Sequence, residues 1–175
     1  MHLPLGRASL RPWHIEDAPA LAEAANNRNV WINLRDRMPY PYTFADAEEY
    51  ILQRVEEDPA LRFCIEVEGR AAGGIGLHPG HDVNRLTAEL GYWLAEPFWG
   101  RGIATAAVRA IVPHGFASLP LNRIEAYVYA NNPASARVLE KAGFTCEGRL
   151  RRSVIKDDQV LDSLVYARLR DEGGA

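Results

Sequence analysis

Trp93-Leu94-Ala95-Glu96-Pro97-Phe98-Trp99-Gly100-Arg101-Gly102-Ile103-Ala104-Thr105 joins two segments of different periodicity. Upstream, Leu86, Ala88, Leu90, Tyr92 and Leu94 alternate with Thr87, Glu89, Gly91 and Trp93, the period of a strand. Downstream, Ala104, Ala107, Val108 and Ile111 recur at helical spacing. Glycine at 100 and 102 lets a ligand approach the backbone closely. The helix start adds unpaired N–H groups and a partial positive charge. The stretch reads as an anion-binding turn for a phosphate-bearing ligand; the plainer reading is an ordinary strand-turn-helix connection. It is not a nucleotide triphosphate loop, because no lysine follows Gly102 in the pattern G-x-x-x-x-G-K-[ST]. It is a poor dinucleotide fingerprint, with Thr105 where the third glycine belongs.

A second motif follows: Asn132-Pro133-Ala134-Ser135, then Val138-Leu139-Glu140-Lys141-Ala142-Gly143-Phe144. In this order and spacing, Trp99 to Ala104 and the second motif together resemble the GNAT acyltransferases. The pyrophosphate loop of that family is written Q/R-x-x-G-x-G/A, and Trp99 departs from it at the Gln/Arg position. The loop is similar to that of the RimJ/RimL-like branch, the ribosomal-protein and small-amine N-acetyltransferases. The similarity runs from Leu10-Arg11-Pro12 to Tyr166-Ala167-Arg168-Leu169.

Outward from these motifs, Ala8 to Trp13 reads as a strand and His14 to Asn26 as a helix with Ala18, Leu21, Ala22 and Ala25 on one stripe. Val30 to Tyr42 is too irregular for a long helix. Thr43-Phe44-Ala45-Asp46 starts a helix that runs to about Glu57. Leu61 to Glu68 and Ala71 to Leu77 make a hairpin around Glu68-Gly69-Arg70. The loop helix covers Arg101 to Ser118, and Pro113 should kink or split it. Arg123 to Ala130 is a strand, and Pro133 to Ala142 a helix stopped by Gly143. Phe144 to Ile155 and Val160 to Leu169 form a hairpin around Lys156-Asp157-Asp158-Gln159. This order is α+β with one mixed sheet. The resemblance implies the GNAT acyl-CoA N-acyltransferase fold: a mostly antiparallel sheet of about seven strands flanked by four helices. Its fourth and fifth strands, here Leu86 to Leu94 and Arg123 to Ala130, splay apart and admit coenzyme A, whose pantetheine arm pairs with the fourth strand. Residues 8–170 are expected to form one domain, with 171–175 a disordered tail.

Composition is consistent with this. The chain has 175 residues, 47% of them hydrophobic, enough for a core. A formal charge of −3 gives no general pull toward nucleic acid. No apolar run approaches the roughly 20 residues of a membrane span, and the N-terminus lacks a signal-peptide core. Cys64 and Cys146 sit in strand-like runs and are expected to be reduced and buried, in a cytoplasmic protein. His78 and His81 flank Pro79-Gly80, but without a third ligand they read as loop residues, so no metal is expected.

The resemblance also implies a site. Acetyl-CoA would serve as acetyl donor and an amine as acceptor. Direct attack needs a base for the ammonium proton and a donor for the leaving thiolate. Glu89 is the candidate base, at the position of the glutamate that histone acetyltransferases of the wider family use. The plainer reading is an exposed carboxylate or a structural ion pair. The hairpin glutamate of some RimJ/RimL-like enzymes falls on Val154 here and is missing. Ser135 is the candidate acid, because the tyrosine of many GNAT enzymes is replaced by Leu139. Asn132 is a good helix cap and, by resemblance, a contact for the pantetheine arm. The cofactor-binding set is Trp93, Leu94, Trp99, Gly100, Arg101, Gly102, Ile103, Ala104, Thr105, Asn132 and Ser135. Trp31 and Tyr40, with Glu89, are expected to line the acceptor pocket. The acceptor itself stays open between a protein N-terminus, a polyamine and an amino sugar or drug, and a homodimer is allowed. The competing class is an acyl-CoA sensor without turnover. A dinucleotide oxidoreductase fails, because two helices and several strands precede the motif.

Overall fold

The computed structural model describes residues 2–55, 57 and 59–173. Its strands are β1 (Leu3–Pro4), β2 (Ala8–Arg11), β3 (Arg62–Val67), β4 (Arg70–Pro79), β5 (Thr87–Leu94), β6 (Arg123–Tyr129), β7 (Thr145–Lys156) and β8 (Gln159–Leu169). Its α-helices are α1 (Ala18–Ala25), α2 (Arg28–Trp31), α3 (Phe44–Val55), α4 (Ile103–Ser118) and α5 (Pro133–Lys141). The strands form one sheet in the order β1-β2-β3-β4-β5-β6-β8-β7. Every neighbouring pair is antiparallel except β5 and β6. The fold is the expected α+β arrangement, with eight strands and five helices among the described residues rather than about seven and four. The additions are a two-residue strand and a four-residue helix, too short to carry a period. Asn27, expected to help stop α1, instead caps α2 by accepting from the N–H groups of Asn29 and Val30.

The feature that matters for function is where β5 and β6 part. They pair only at Thr87↔Arg123, Ala88↔Ile124 and Glu89↔Glu125. Beyond Glu89, β5 stays with β4 as far as Leu94↔Gly73, and β6 stays with β8 as far as Tyr129↔Ser163. The expected splay is therefore present, and the edge of β5 from Leu90 onward has no partner in β6.

Each face of the sheet is covered. On one, Ile75, Leu77, Leu90 and Ile124 pack with Val108 and Ile111 of α4 and Leu139 of α5. On the other, Cys64 and Ala71 pack with Trp13, with Leu21 of α1 and with Ile51 of α3. An ionic clamp ties this second layer to the sheet. Arg11 forks onto Asp17 at 2.7 and 2.8 Å and also bonds Glu66. Burial pushes the Asp17 carboxyl up, but the Arg11 fork and the His14 N–H overcome it and hold it below its usual range. Thr43 and Asp46 cap α3 reciprocally, Thr43 Oγ1 accepting from the Asp46 N–H and Asp46 Oδ2 from the Thr43 N–H.

Some expectations change. β2 ends at Arg11, and α3 ends at Val55 rather than near Glu57. Pro113 does not split α4, which continues to Ser118. Pro113 lies on the exposed side, where water can satisfy the carbonyl it frees. Cys146 is exposed rather than buried, because β7 is the outer strand of the sheet. Cys64 is buried, and burial pushes its thiol up to about 12. Asp171 to Gly173, expected in a disordered tail, complete a 3-10 turn that starts at Arg170. The rest of that tail lies outside the described residues.

Gly115 sets how closely α4 lies on the sheet. A Cβ there would come within 2.3 Å of Leu77 Cδ1, and Leu77 is fully buried. Gly to Ala inside a helix normally stabilises by about 1 kcal/mol. At Gly115 the overpacking term dominates, and Gly115→Ala should instead lower the unfolding free energy by about 1–2 kcal/mol in a denaturant titration.

Candidate active site

The opening between β5 and β6 continues as one cavity of ≈ 1220 Å³ through the sheet. That exceeds the roughly 300–1,000 Å³ of ordinary small-molecule pockets, so it has room for a large ligand and a second reactant. Its floor on the α1–α3 side is open at Gly91, whereas Arg62 covers Gly76, where an added Cβ would meet Arg62 Cγ at 2.7 Å. Gly76 and Gly91 face each other in register, and a Cβ on Gly91 would meet only the ring of His78, at 3.7 Å from Nε2.

One end of the cavity is the loop before α4. Gly100 and Gly102 have φ of +74° and +77°, a backbone conformation that suits glycine, and open space lies above both. Gly102 is the N-cap of α4 and supplies no side-chain acceptor, so the first-turn N–H groups of Ile103, Ala104 and Thr105 are left for an outside anion. Gly100, Gly102, Ile103, Ala104 and Thr105 all line the cavity. Trp99 lines it too, and its indole N–H donates to the Leu94 carbonyl at 2.6 Å, which pins the loop to the end of β5. Arg137 and Lys141, one helical turn apart on α5, add positive charge to the lining. Nothing in the sequence beyond that spacing marked them.

The middle of the cavity holds the second motif. Asn132 caps α5, its side-chain oxygen accepting from the Ser135 N–H at 3.2 Å. The Ser135 hydroxyl shares a 2.7 Å hydrogen bond with the Tyr92 hydroxyl. Burial pushes the Tyr92 phenol up to about 12, with the Ser135 bond working against it. Tyr92 therefore stays protonated and ties α5 to β5 across the opening. Sequence alternation assigned it to an apolar face, which concealed this role.

The far end is polar and comes from separate elements. Glu89 lines the cavity, and one carboxylate oxygen accepts from Arg35 at 2.6 Å. Across the β4–β5 ladder, Glu89 is opposite His78. His78, expected to be a loop residue, is a strand residue on the cavity wall. Burial lowers its imidazole to about 4, with Arg37, Arg62, Arg35 and Arg54 adding to the shift. It is neutral at physiological pH.

The structure brings Glu89, Trp93, Leu94, Trp99, Gly100, Gly102, Ile103, Ala104, Thr105, Asn132 and Ser135 to this one cavity. Other expected residues lie elsewhere. Arg101 does not belong to its lining; the guanidinium lies 5.3 Å from the centre of the Phe98 ring. Trp31 and Tyr40 are likewise off the wall and stack on each other at 5.5 Å. Lys156, buried at the β7–β8 turn, sits 3.7 Å from the Trp31 ring centre and bonds Asp36 at 2.7 Å. The aromatic pair supports from behind the segment that does reach the cavity, which carries Leu34, Arg35, Arg37 and Met38.

His78 gives a stability signature. The unfolded chain takes up the imidazole proton near pH 6.5, whereas the folded protein resists it down to about 4. Between those values the unfolded state binds more protons, so stability falls as pH drops through this window. His78→Gln removes this contribution, and thermal melts from pH 6.5 to pH 4 should show a shallower loss of Tm than the parent protein.

Comparison with known proteins agrees with this geometry. Residues 7–145 match the family model described as an acetyltransferase (GNAT) domain. An uncharacterized N-acetyltransferase, p20 of Bacillus licheniformis, is 31% identical over 174 residues, covering 95% of this chain and 94% of that protein. The putative ribosomal N-acetyltransferase YdaF of Bacillus subtilis is 38% identical over 105 residues, which is 60% of this chain and 57% of YdaF. The chain thus spans little more than half the length of that relative. Among solved structures, Mycobacterium smegmatis RimJ in complex with CoA-disulfide superposes with a TM-score of 0.85 at 29% identity, over 99% of this chain and 87% of that one. With the family model covering most of the sequence and the splayed strands, glycine loop and Asn-Pro-Ala-Ser cap in place, this chain belongs to the GNAT acetyltransferase family, in its RimJ/RimL-like branch.

Proposed function

We propose that this chain transfers the acetyl group of acetyl-CoA to a primary amine, by direct attack within a ternary complex. One observation carries the reading. A single cavity joins an anion-binding helix start, a paired Ser135–Tyr92 hydroxyl couple and a carboxylate at Glu89. Acetyl-CoA bound there supplies an activated carbonyl and a thiolate leaving group. The amides at the start of α4, with Arg137 and Lys141 nearby, suit its phosphates. The unpaired edge of β5 from Leu90 suits an extended arm with amide groups.

The residues then divide the proton traffic. The acceptor amine is mostly protonated at neutral pH and must lose a proton before it attacks. Glu89 takes that proton directly or through one water; its second carboxylate oxygen is not held by Arg35. Ser135, its hydroxyl oriented by Tyr92, donates its proton to the departing sulphur. Attack releases a second proton from the nitrogen, which returns to Ser135 by way of solvent, while Glu89 gives the first proton to solvent, so that one proton is released per turnover. Holding the two reactants in one closed space supplies the orientation that a reaction between free species lacks. Residues 8–170 act as one domain in this proposal, supported by the single continuous sheet.

The test follows free thiol release from acetyl-CoA with a panel of primary amines. Ser135→Ala should lower turnover by about tenfold or more while acetyl-CoA binding, measured by calorimetry, changes less than about twofold. Unchanged turnover would return Ser135 to the role of an ordinary helix residue. Glu89→Gln should slow the reaction about 10²-fold at neutral pH and recover part of the rate at high pH, where the amine deprotonates unaided. A loss that is constant across pH would make Glu89 an anchor for the acceptor instead of a base.

A further inference from the structure

The acceptor end of the cavity holds more arginine than the transfer reaction needs. Arg35, Arg37, Arg54 and Arg62 line it, from the α2–α3 segment, from α3 and from β3. Two carboxylates on the same lining are already paired with cations. Glu89 holds Arg35, and Asp36 holds Lys156 at 2.7 Å. Asp46 caps α3, and Glu49 accepts from Gln53. Arg62 is paired with Glu57 at 2.9 Å. Arg37 and Arg54 differ. Among the described residues neither has a carboxylate within salt-bridge distance. Arg37 Nη2 meets only the neutral His78 Nε2, at 3.4 Å. Arg54 bonds the Gln53 side-chain oxygen at 2.7 Å and lies 4.3 Å from the centre of the Tyr50 ring. The Nε groups of Arg54 and Arg62 are buried without a partner.

Two guanidinium groups facing a cavity beside neutral partners favour a planar anion that can accept several N–H bonds at once. Beside these two guanidinium groups the extra ammonium groups of a polyamine are repelled. His78 lies opposite Glu89 in the ladder and contacts Arg37, so an anion held by Arg37 and an amine at Glu89 would share the same end of the cavity. We infer that the acceptor is a primary amine bearing a carboxylate close by, and that Arg37 and Arg54 bind that carboxylate. This deepens the acetyltransferase reading and rests on it. The carboxylate can belong to a free amino acid or to an acidic residue at or next to a peptide N-terminus.

The experiment compares acceptors with acetyl-CoA in the full chain: peptide amides beginning Ser-Asp and Ser-Asn, free serine with its carboxyl group ionised, serinamide in which that carboxyl is blocked, and spermidine. The acidic member of at least one pair should have kcat/KM about tenfold or more above its neutral partner, and spermidine should be the poorest. A preference confined to the peptide pair identifies a protein N-terminus, and one confined to the free pair identifies an amino acid. Arg37→Gln should bring the acidic-to-neutral ratio close to one, whereas Arg37→Lys should keep part of it. A ratio near one in the parent protein, or a ratio that survives in Arg37→Gln, overturns the inference, as does a preference for spermidine. Product binding gives a second readout without turnover. In the presence of coenzyme A, N-acetyl-Ser-Asp amide should bind about tenfold more tightly than N-acetyl-Ser-Asn amide, or N-acetylserine than N-acetylserinamide. If no amine is acetylated yet the acidic products are preferred, the transfer reading fails and the anion site stands. If neutral or cationic amines are acetylated and neither acidic product is preferred, only the anion site fails.

Discussion

The site depends on a hydrogen-bond ladder that stops early. β5 and β6 run parallel for three residue pairs and then separate, each keeping its other neighbour. A sheet that stayed zipped past Glu89 would bury the edge of β5 and close the cavity. Beside the opening, the Ser135–Tyr92 hydrogen bond ties β5 to α5. Because Tyr92 is buried and held protonated, this contact resists both rotation and ionisation, and it props the opening from within. The cost is a row of backbone groups on β5 left without a strand partner, which an extended ligand can repair.

Around that opening the molecule separates its charges. At the α4 end, backbone amides and a pair of cations on α5 face a ligand expected to carry phosphates. At the other end, arginines gather around His78, and burial, helped by their charge, keeps that imidazole neutral. The floor of the acceptor end is open at Gly91, beside the His78 ring. A side chain at Gly91 would project into the space the second reactant needs. Glycine is used differently at Gly100 and Gly102, where it is the backbone conformation that requires it.

The second layer works as a support for these walls. The Arg11–Asp17 fork fixes the start of α1 to the sheet, and Trp31 with Lys156 and Asp36 braces the segment that carries Arg35 and Arg37. The aromatic pair Trp31–Tyr40 was expected on the pocket wall and proves to be behind it. An aromatic cluster near a site announces burial, and burial is equally well served by packing under a loop as by lining a cleft.

Local physics made much of this legible in the sequence. The glycine turn at a strand-to-helix change, the Asn132 cap and the alternation that aims Glu89 away from Leu90 are each fixed by residues within a few positions of one another. These motifs carried the family resemblance, and it was the resemblance that implied the splay and most of the cavity wall at the loop end. What depended on tertiary structure was which side chains meet. Strand alternation assigned Tyr92 to a face but could not say that Ser135, 43 residues later, stands opposite it. It gave no sign that His78 lies beside Glu89, or that Arg37, Arg54 and Arg62 converge on it, because these come from separate elements joined only by the sheet register. Arg101 was expected at the site as part of the family-like loop, but it is absent from the cavity lining, its guanidinium lying 5.3 Å from the centre of the Phe98 ring. Periodicity fixes the direction a residue points within its own element; the partners it finds there are set by long-range pairing, which no local pattern encodes.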